Sequence, residues 1–278
     1  MKTARLPHYQ TIAPVVSQRE VAPRHFRLRL CAPEIARQAR AGQFVHVLPR
    51  ADFIREPLLR RAFSILAIEG DEFEILYRVE GRGTALMARW NRGDSVDVLG
   101  PLGNGFAPLP PPPQRAVLVG GGVGVPPMAM LASTRTGSHQ LFALVGARSA
   151  EEVICREDFK KFNVPLRVAT DDGSTGHRGF VTDLLKAELE LDNQAVVYAC
   201  GPLPMLRAVA RLCRQFEVAC QVSLEENMPC GVGVCNGCVV SVADNGDDFG
   251  RYRRICVEGP ALWTHEIDWE RLTDGGHA

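Results

Sequence analysis

The sequence predicts a multidomain β + α/β protein, with an antiparallel β-barrel first, an open parallel sheet second and a small cysteine-rich module last. Three observations support this order. Short apolar strands separated by turn residues fill the first hundred positions, a proline-rich run interrupts the chain at residues 107–114, and four of the nine cysteines lie between Cys230 and Cys256. A chain of 278 residues is long enough for two domains and such a module.

The composition is that of an ordinary globular protein. Apolar residues make up 46% of the chain, and 32 Lys and Arg residues balance 32 Asp and Glu residues, so no basic stripe indicates nucleic-acid binding. The N-terminus lacks the apolar segment of a signal peptide, and no apolar run reaches transmembrane length. Because nine cysteines cannot all pair, we expect a reduced compartment and a cytoplasmic protein.

Residues 1–108 are predicted to form the barrel. Glycine-containing turns separate its strands, and the spacing is too short for helical crossovers. The predicted strands are His25–Cys31, Gln43–Leu48, Ala62–Ile68, Glu72–Val79 and Ser95–Leu99. One helical stretch, Thr84–Trp90, follows Gly83, and its first amides are suited to a phosphate.

Two strand motifs in the barrel are candidates for flavin binding. The run Arg61-Ala62-Phe63-Ser64 resembles the Arg-x-Tyr-Ser motif of the ferredoxin–NADP reductase family. An arginine can neutralise a pyrophosphate, an aromatic ring can pack on the flavin, and a serine hydroxyl can reach its N5 edge. The residues that look like the family's second diphosphate contact are Leu76, Tyr77, Arg78, Gly83 and Thr84. Taken alone, residues such as Arg61 and Ser64 are more often an exposed strand charge and a strand-end hydroxyl, but their combination at this separation favours flavin binding. Only the resemblance implies FAD rather than FMN.

Residues 109–222 are predicted to form the α/β domain, after a stiff proline-rich linker at Ala107–Gln114. Apolar strands alternate there with amphipathic helices, which is typical of an open parallel sheet. The predicted strands are Arg115–Val119, Gln140–Val145, Leu166–Ala169, Ala195–Ala199 and Ala219–Ser223. The predicted helices lie near Pro127–Ser133, Glu151–Phe162, Val181–Glu190 and Leu203–Phe216.

Two turns at the ends of predicted strands indicate a dinucleotide site. The first strand of the sheet runs into four glycines that let a pyrophosphate approach the backbone, Gly120, Gly121, Gly122 and Gly124. A later strand ends, at the carboxyl edge where such sheets bind ligands, in Cys200, Gly201 and Pro202. The first turn departs from the usual G-x-G-x-x-G fingerprint because Pro127 takes the third glycine position. Arg148 is either a 2′-phosphate contact or a solvent-exposed loop residue.

Residues 223–278 are predicted to hold a plant-type [2Fe–2S] cluster through Cys230, Cys235, Cys238 and Cys256. The spacing C-x4-C-x2-C, followed by a fourth cysteine after residues 239–255, is typical of such clusters. The intervening glycines let the loop turn its amides toward the sulfurs. A structural zinc site is the alternative, although zinc ribbons favour two separated C-x2-C pairs.

The remaining cysteines and the histidines are assigned to packing and to the surface. Four cysteines in apolar strand or helix patterns are expected in the core: Cys31, Cys155, Cys213 and Cys220. The seven histidines share no metal-ligand spacing, and we expect each of them at the surface or in a loop. No paired carboxylates or Ser-His-Asp arrangement is evident, so we expect no acid–base catalytic residue in this chain.

Residues 10–260 together resemble the ferredoxin–NADP reductase superfamily, and more closely the electron-transfer subunits of class 1B dihydroorotate dehydrogenase. Val98–Phe106, Ser223–Glu226 and the cysteine block carry this resemblance. It implies FAD, a [2Fe–2S] cluster and NAD(H) as cofactors, with Asn104 and Phe106 beside the flavin. It also implies a partner, an FMN-containing dihydroorotate dehydrogenase catalytic subunit in a heterotetramer, and electron flow from dihydroorotate to NAD⁺.

Two other functions are compatible with the sequence. A reductase subunit of the same superfamily that serves a hydrogenase, a sulfur reductase or a ferredoxin would use the same motifs. A zinc-stabilised nucleotide-binding sensor without redox activity would share the glycine turns and the cysteines.

Overall fold

A closed barrel of six antiparallel strands opens the computed structural model, which describes residues 8–49, 56–137, 139–243 and 251–272. The strands are Tyr9–Ala22 (β1), His25–Cys31 (β2), Phe44–Val47 (β3), Arg61–Glu69 (β4), Glu72–Arg78 (β5) and Ser95–Leu102 (β6). They pair in the order β1-β2-β5-β4-β3-β6, and β6 returns to β1. Two short helices accompany them, Pro33–Gln38 (α1) and Arg82–Met87 (α2). The predicted antiparallel barrel is confirmed.

Strand β1 was not among the predicted strands. It is 14 residues long, and its pairing with β2 shifts register between Val15 and Ser17 and again between Glu20 and Ala22. These irregularities interrupt the alternation of buried and exposed side chains, which is the signal that identifies a strand in a sequence.

The second unit is an open sheet of seven strands. Its parallel strands are Arg115–Gly121 (β7), Leu141–Ala147 (β8), Leu166–Thr170 (β9), His177–Arg178 (β10), Ala195–Cys200 (β11) and Ala219–Ser223 (β12). Its helices are Val125–Ser133 (α3), Arg156–Lys161 (α4), Val181–Leu191 (α5) and Leu203–Gln215 (α6). Within the described residues, no helix is long and apolar enough to cross a membrane.

The predicted helix at Glu151–Phe162 is wrong in its first half. One turn of 3₁₀ helix covers Ala150–Glu152, and α4 begins only at Arg156. Between them Ile154 is buried and Cys155 has a left-handed φ of 61°, a conformation that interrupts an α-helix. The sequence therefore shows the apolar pattern of a helix across residues 153–155, where the backbone in fact turns.

The C-terminal unit contributes three short strands, Val239–Ser241 (β13), Tyr252–Arg254 (β14) and Ala261–Trp263 (β15). Strands β13 and β14 pair with each other, whereas β15 pairs antiparallel with β12 and extends the parallel sheet to the order β10-β9-β8-β7-β11-β12-β15. The cysteine-rich segment is thus anchored to the second unit through backbone hydrogen bonds.

One buried ion-pair network joins the barrel to the α/β unit. Arg27 on β2 donates two hydrogen bonds to the carboxylate of Asp158 on α4, at 3.0 and 2.9 Å, and also pairs with Glu74 on β5. The three side chains are between 8% and 17% exposed. Removing one partner leaves a desolvated charge, so the network couples the stability of the two units.

We expect Asp158→Ala to lower the free energy of unfolding by about 1–3 kcal/mol, because Arg27 loses a bidentate partner. Urea unfolding followed by circular dichroism measures the change. Glu157→Ala is the matched control, since its exposed side chain lies one position away on α4. Equal effects of the two substitutions would contradict the role given to the network.

Candidate functional site

The two turns predicted to bind a dinucleotide are in direct contact. Strands β7 and β11 are neighbours in register, which places Gly120 beside Cys200. A Cβ atom added at Gly124 would lie 2.3 Å from the carbonyl oxygen of Cys200 and 2.5 Å from the amide nitrogen of Gly201. Only glycine allows this approach, so the sequence brings the two turns together at the carboxyl edge of the sheet.

The outer side of the glycine turn is open. Gly122 has a left-handed φ of 53°, and apart from its two neighbours in the chain no described residue has an atom within 4 Å of the position of an added Cβ. Beside it the thiol of Cys200 is buried, and burial, followed by the nearby Glu225 carboxylate, raises the pKa of this thiol well above its ordinary value. The accessible backbone of the glycine turn, which leads into α3, suits a phosphate group. The neighbouring thiol is uncharged and adds no negative charge that would repel it.

A further side chain at this edge is Phe180, which the sequence reasoning missed. It is 66% exposed at the start of α5, next to Val181, whose Cβ lies 3.0 Å from the Cβ position of Gly146 on β8. An exposed aromatic ring at the carboxyl edge is suited to stacking on a base. The sequence signal that could have identified Phe180 is an aromatic residue directly before a predicted helix, at the end of the sheet where the nucleotide turns lie. Arg148, by contrast, is engaged with Glu152 through two hydrogen bonds of 2.9 and 2.7 Å.

The predicted flavin residues on β4 and α2 lie close together. The Nε atom of Arg61 is 3.5 Å from the Cβ position of Gly83. The Arg61 guanidinium donates only to the carbonyls of Leu59 and Arg60, at 2.9 and 3.2 Å, and has no carboxylate partner among the described residues. A guanidinium with no carboxylate partner in the described part of the chain, next to a glycine that leaves space, fits a diphosphate.

The other residues of the second motif have structural partners. Arg78 pairs with Glu80, and the hydroxyl of Thr84 accepts hydrogen bonds from the amides of Glu80 and Gly81, at 3.0 and 3.2 Å. The Thr84 hydroxyl therefore stabilises the turn at the start of α2. Because this hydroxyl is already engaged, Thr84 would contact a cofactor through its backbone amide.

Leu76 and Tyr77 do not present their side chains at the surface. They are 4% and 1% exposed, and the Tyr77 hydroxyl donates to Gln18 at 3.0 Å. The Tyr77 ring lies 5.6 Å from the ring of Phe63, centroid to centroid. The Tyr77 ring thus packs against Phe63, whereas Leu76, the preceding residue on β5, directs its side chain to the opposite face of the sheet. Ala62 is exposed, and Phe63 and Ser64 are half-buried.

The four predicted cluster cysteines are joined by contacts in pairs. The amide of Cys256 donates to Sγ of Cys238 at 3.4 Å. Burial opposes ionisation of Cys230 most strongly, but hydrogen bonds from the Cys235, Val232 and Val234 amides and from the Cys235 thiol prevail and lower its pKa to about 6. Burial and the Cys238 thiol raise the pKa of Cys256 to about 12.

The chemistry of this donor set fits a [2Fe–2S] cluster. Four thiols with loop amides directed at one sulfur are the ligand type that such clusters use. Gly231 and Gly233 have left-handed φ values of 72° and 78° and allow the loop to turn. Across the described part of the chain, no three His, Cys, Asp or Glu side chains already converge on one metal position.

The cysteine module is seated on the end of the barrel. The amide of Asn104 donates to the carbonyl of Gly259 at 2.6 Å, and its side chain donates to the carbonyls of Val257 and Glu258, each at 3.2 Å. The family resemblance implies a position beside the flavin for Asn104 and Phe106, which stays a prediction. In the structure, Asn104 forms hydrogen bonds with the segment after Cys256. The ring of Phe106 packs edge-on against the ring of Tyr198.

His46 is buried, so the expectation of a surface or loop position is wrong for it. Its side chain is 0% exposed on β3, and a Cβ added at Gly231 would lie 2.6 Å from its Cε1 atom. Burial and the positive charge of Arg60 lower the pKa of His46 to about 4. His25 is also buried, at 3% exposure.

Two family models match the chain. Residues 225–268 match the iron–sulfur cluster binding domain of dihydroorotate dehydrogenase B, and residues 118–211 match an oxidoreductase NAD-binding domain. The first match contains all four predicted cluster cysteines, and the second contains the glycine turn and Cys200.

Several relatives are similar over nearly the whole chain. The dihydroorotate dehydrogenase B (NAD(+)) electron transfer subunit of Bacillus caldolyticus is 44% identical over 91% of this chain and 96% of its own length. The same subunit of Desulforamulus reducens is 36% identical over 93% of this chain and 98% of its own. A solved NADH-dependent reduced ferredoxin-NADP oxidoreductase superposes with a TM-score of 0.80 at 28% identity, over 98% of this chain and 93% of that one.

We expect Cys235→Ser to abolish the visible absorbance and iron content of a cluster while flavin binding is retained, because the flavin motif lies on the barrel. Absorbance spectra and iron analysis measure both. Cys31→Ser, on barrel strand β2, is the control and should keep iron and flavin. Equal loss of flavin and iron in Cys235→Ser would contradict a modular arrangement.

We expect Arg61→Gln to weaken FAD binding by about tenfold or more, since one charge-assisted contact with a phosphate is removed. Fluorescence titration of the flavin-free protein measures the dissociation constant. Arg37→Gln is the control, because that exposed arginine pairs with Asp71 elsewhere on the barrel. An unchanged dissociation constant for Arg61→Gln would remove Arg61 from the site.

Proposed function

The chain belongs to the family of dihydroorotate dehydrogenase B electron transfer subunits, and we propose that it passes electrons between NAD(H) and a separate catalytic subunit through FAD and a [2Fe–2S] cluster. The observation that carries this proposal is the junction of the three units. The nucleotide turns, the flavin strand β4 and the cysteine loop belong to units that contact one another directly.

Bound FAD would exchange electrons in pairs with a nicotinamide and singly with an iron–sulfur cluster. The chain's own residues bind and orient these groups. We assign to the flavin Arg61, Ala62, Phe63, Ser64, Leu76, Tyr77, Arg78, Gly83 and Thr84, of which Tyr77 acts by packing against Phe63. We assign to the nicotinamide nucleotide Gly120, Gly121, Gly122, Gly124, Cys200, Gly201 and Pro202. The cluster is assigned to Cys230, Cys235, Cys238 and Cys256.

The cluster loop supports the proposal of an external partner. Cys235 is exposed, and its neighbour Val234 is 79% exposed, so this side of the loop is accessible to another protein. We propose that the partner is an FMN-containing dihydroorotate dehydrogenase catalytic subunit and that the two chains form a heterotetramer. The relatives' name supports dihydroorotate as the substrate of that subunit and NAD⁺ as the final acceptor, which places the complex in pyrimidine biosynthesis.

We also retain the proposed division into residues 1–108, 109–222 and 223–278, with β15 as the part of the last segment that joins the sheet. We propose a cytoplasmic location, which the use of NAD(H) and the nine unpaired cysteines support.

Co-expression with the catalytic chain from the same genome tests the function. We expect the two chains to elute together and to reduce NAD⁺ when dihydroorotate is added, whereas neither chain alone does so. A complex that carries Cys235→Ser should assemble but lose NAD⁺ reduction at least about a hundredfold, because the route between the flavins is interrupted.

Two outcomes would contradict the proposal. The first is a stable complex with hydrogenase or sulfur reductase subunits and none with the dihydroorotate dehydrogenase chain. The second is a colourless preparation that contains zinc without iron or flavin, although the cells were supplied with iron.

A further inference from the structure

His46 is a buried histidine whose two ring nitrogens have no hydrogen-bond partner among the described residues. Buried polar atoms in folded proteins almost always have a partner, because an unpaired one has lost its bond to water without replacement. Whichever tautomer is present, a neutral imidazole carries a proton on one nitrogen. The protein therefore holds an N–H donor in a buried position for which the described residues supply no acceptor.

The position of His46 connects the barrel with the cysteine loop. On β3 it stands opposite Ala62 of the flavin strand β4 and opposite Leu99 of β6. A Cβ added at Gly231 would lie 2.6 Å from Cε1, 2.8 Å from Nδ1 and 3.0 Å from Nε2 of the ring. The polar edge of the imidazole thus faces the loop next to Cys230.

The barrel's other buried histidine is satisfied by the protein. Nδ1 of His25 lies 2.8 Å from the carbonyl oxygen of Pro23. Both histidines come from the same barrel, and only the one beside the cysteine loop lacks a partner within the described residues. A group bound by the cysteine loop would supply the acceptor that His46 lacks among the described residues.

We propose that His46 donates an N–H hydrogen bond to a sulfur atom at the Cys230 corner of the [2Fe–2S] cluster and thereby raises the cluster's reduction potential. The inference rests on the proposed function, which supplies the cluster. Reduction adds negative charge to the sulfurs, so a donor stabilises the reduced form more than the oxidised form. His46 transfers no proton and no electron in this role; it sets the equilibrium between two states of its neighbour.

Selective isotope labelling tests the contact without any substitution. We expect protein labelled with ¹⁵N only in its histidine rings, with the cluster reduced by dithionite, to show a histidine ¹⁵N coupling to the cluster spin by pulsed electron paramagnetic resonance. The coupling should persist in His25→Gln and disappear in His46→Gln. Its absence from the wild-type protein with an intact cluster would overturn the proposal.

A potentiometric titration tests the consequence. We expect His46→Leu to shift the ratio of reduced to oxidised cluster at a fixed potential by about tenfold toward oxidised, which is about 59 mV for one electron. His46→Gln keeps an N–H donor and should restore about half of the shift or more, whereas His25→Leu should leave the potential unchanged. If His46 served packing alone, His46→Gln would not restore the reduction potential of the cluster relative to His46→Leu.

The other outcomes are also decisive. If His46→Leu moves the potential of the flavin and leaves that of the cluster unchanged, the acceptor is the flavin and the proposal is wrong. If the preparation contains no iron–sulfur cluster at all, the proposed function fails and this inference fails with it. A cluster that is present with an unshifted potential overturns the inference alone.

Discussion

Contacts that only glycine permits bring the elements of the candidate sites together; one lies within the α/β unit, and two join the cysteine module to the barrel. Gly124 places the nucleotide turn on the backbone of Cys200, and an added Cβ at Gly103 would lie 2.7 Å from Pro260, just after the cysteine block. Gly231 brings the cysteine loop against His46 on the barrel. A side chain at any of these positions would push two elements apart, so the short separation of the candidate sites depends on them.

A shared hydrophobic core strengthens the same junction. Phe44 and Leu102 from the barrel, Val119 from the sheet, and Cys238 and Cys256 from the last unit belong to one buried cluster. The proposed ligand cysteines therefore lie in a packed interior on one side, at Cys238 and Cys256, and are accessible on the other, where Cys235 is exposed. Such a site can be held rigidly toward the flavin strand while remaining open to a partner, which is what electron transfer between subunits requires.

Much of this arrangement was predictable from the sequence, because its strongest signals are local. Cysteine spacing, the proline linker and the alternation of strands and helices identified three units whose architecture the structure confirms. The failures have physical causes. Bulges obscured β1, a left-handed Cys155 interrupted a helical pattern, and the burial of His46 depends on a loop that lies 185 residues further along the chain at Gly231. Long-range packing of this kind leaves no local pattern.

The proposed function requires one chain to connect a two-electron carrier to a one-electron carrier. An anaerobic titration of the isolated protein with NADH, followed by absorbance and electron paramagnetic resonance, tests it most directly. We expect uptake of about 1.5 equivalents of NADH per chain, two electrons for FAD and one for the cluster, with the signal of a reduced [2Fe–2S] cluster at the end point. Uptake of one equivalent or less, with flavin bleached and no cluster signal, would contradict the claim.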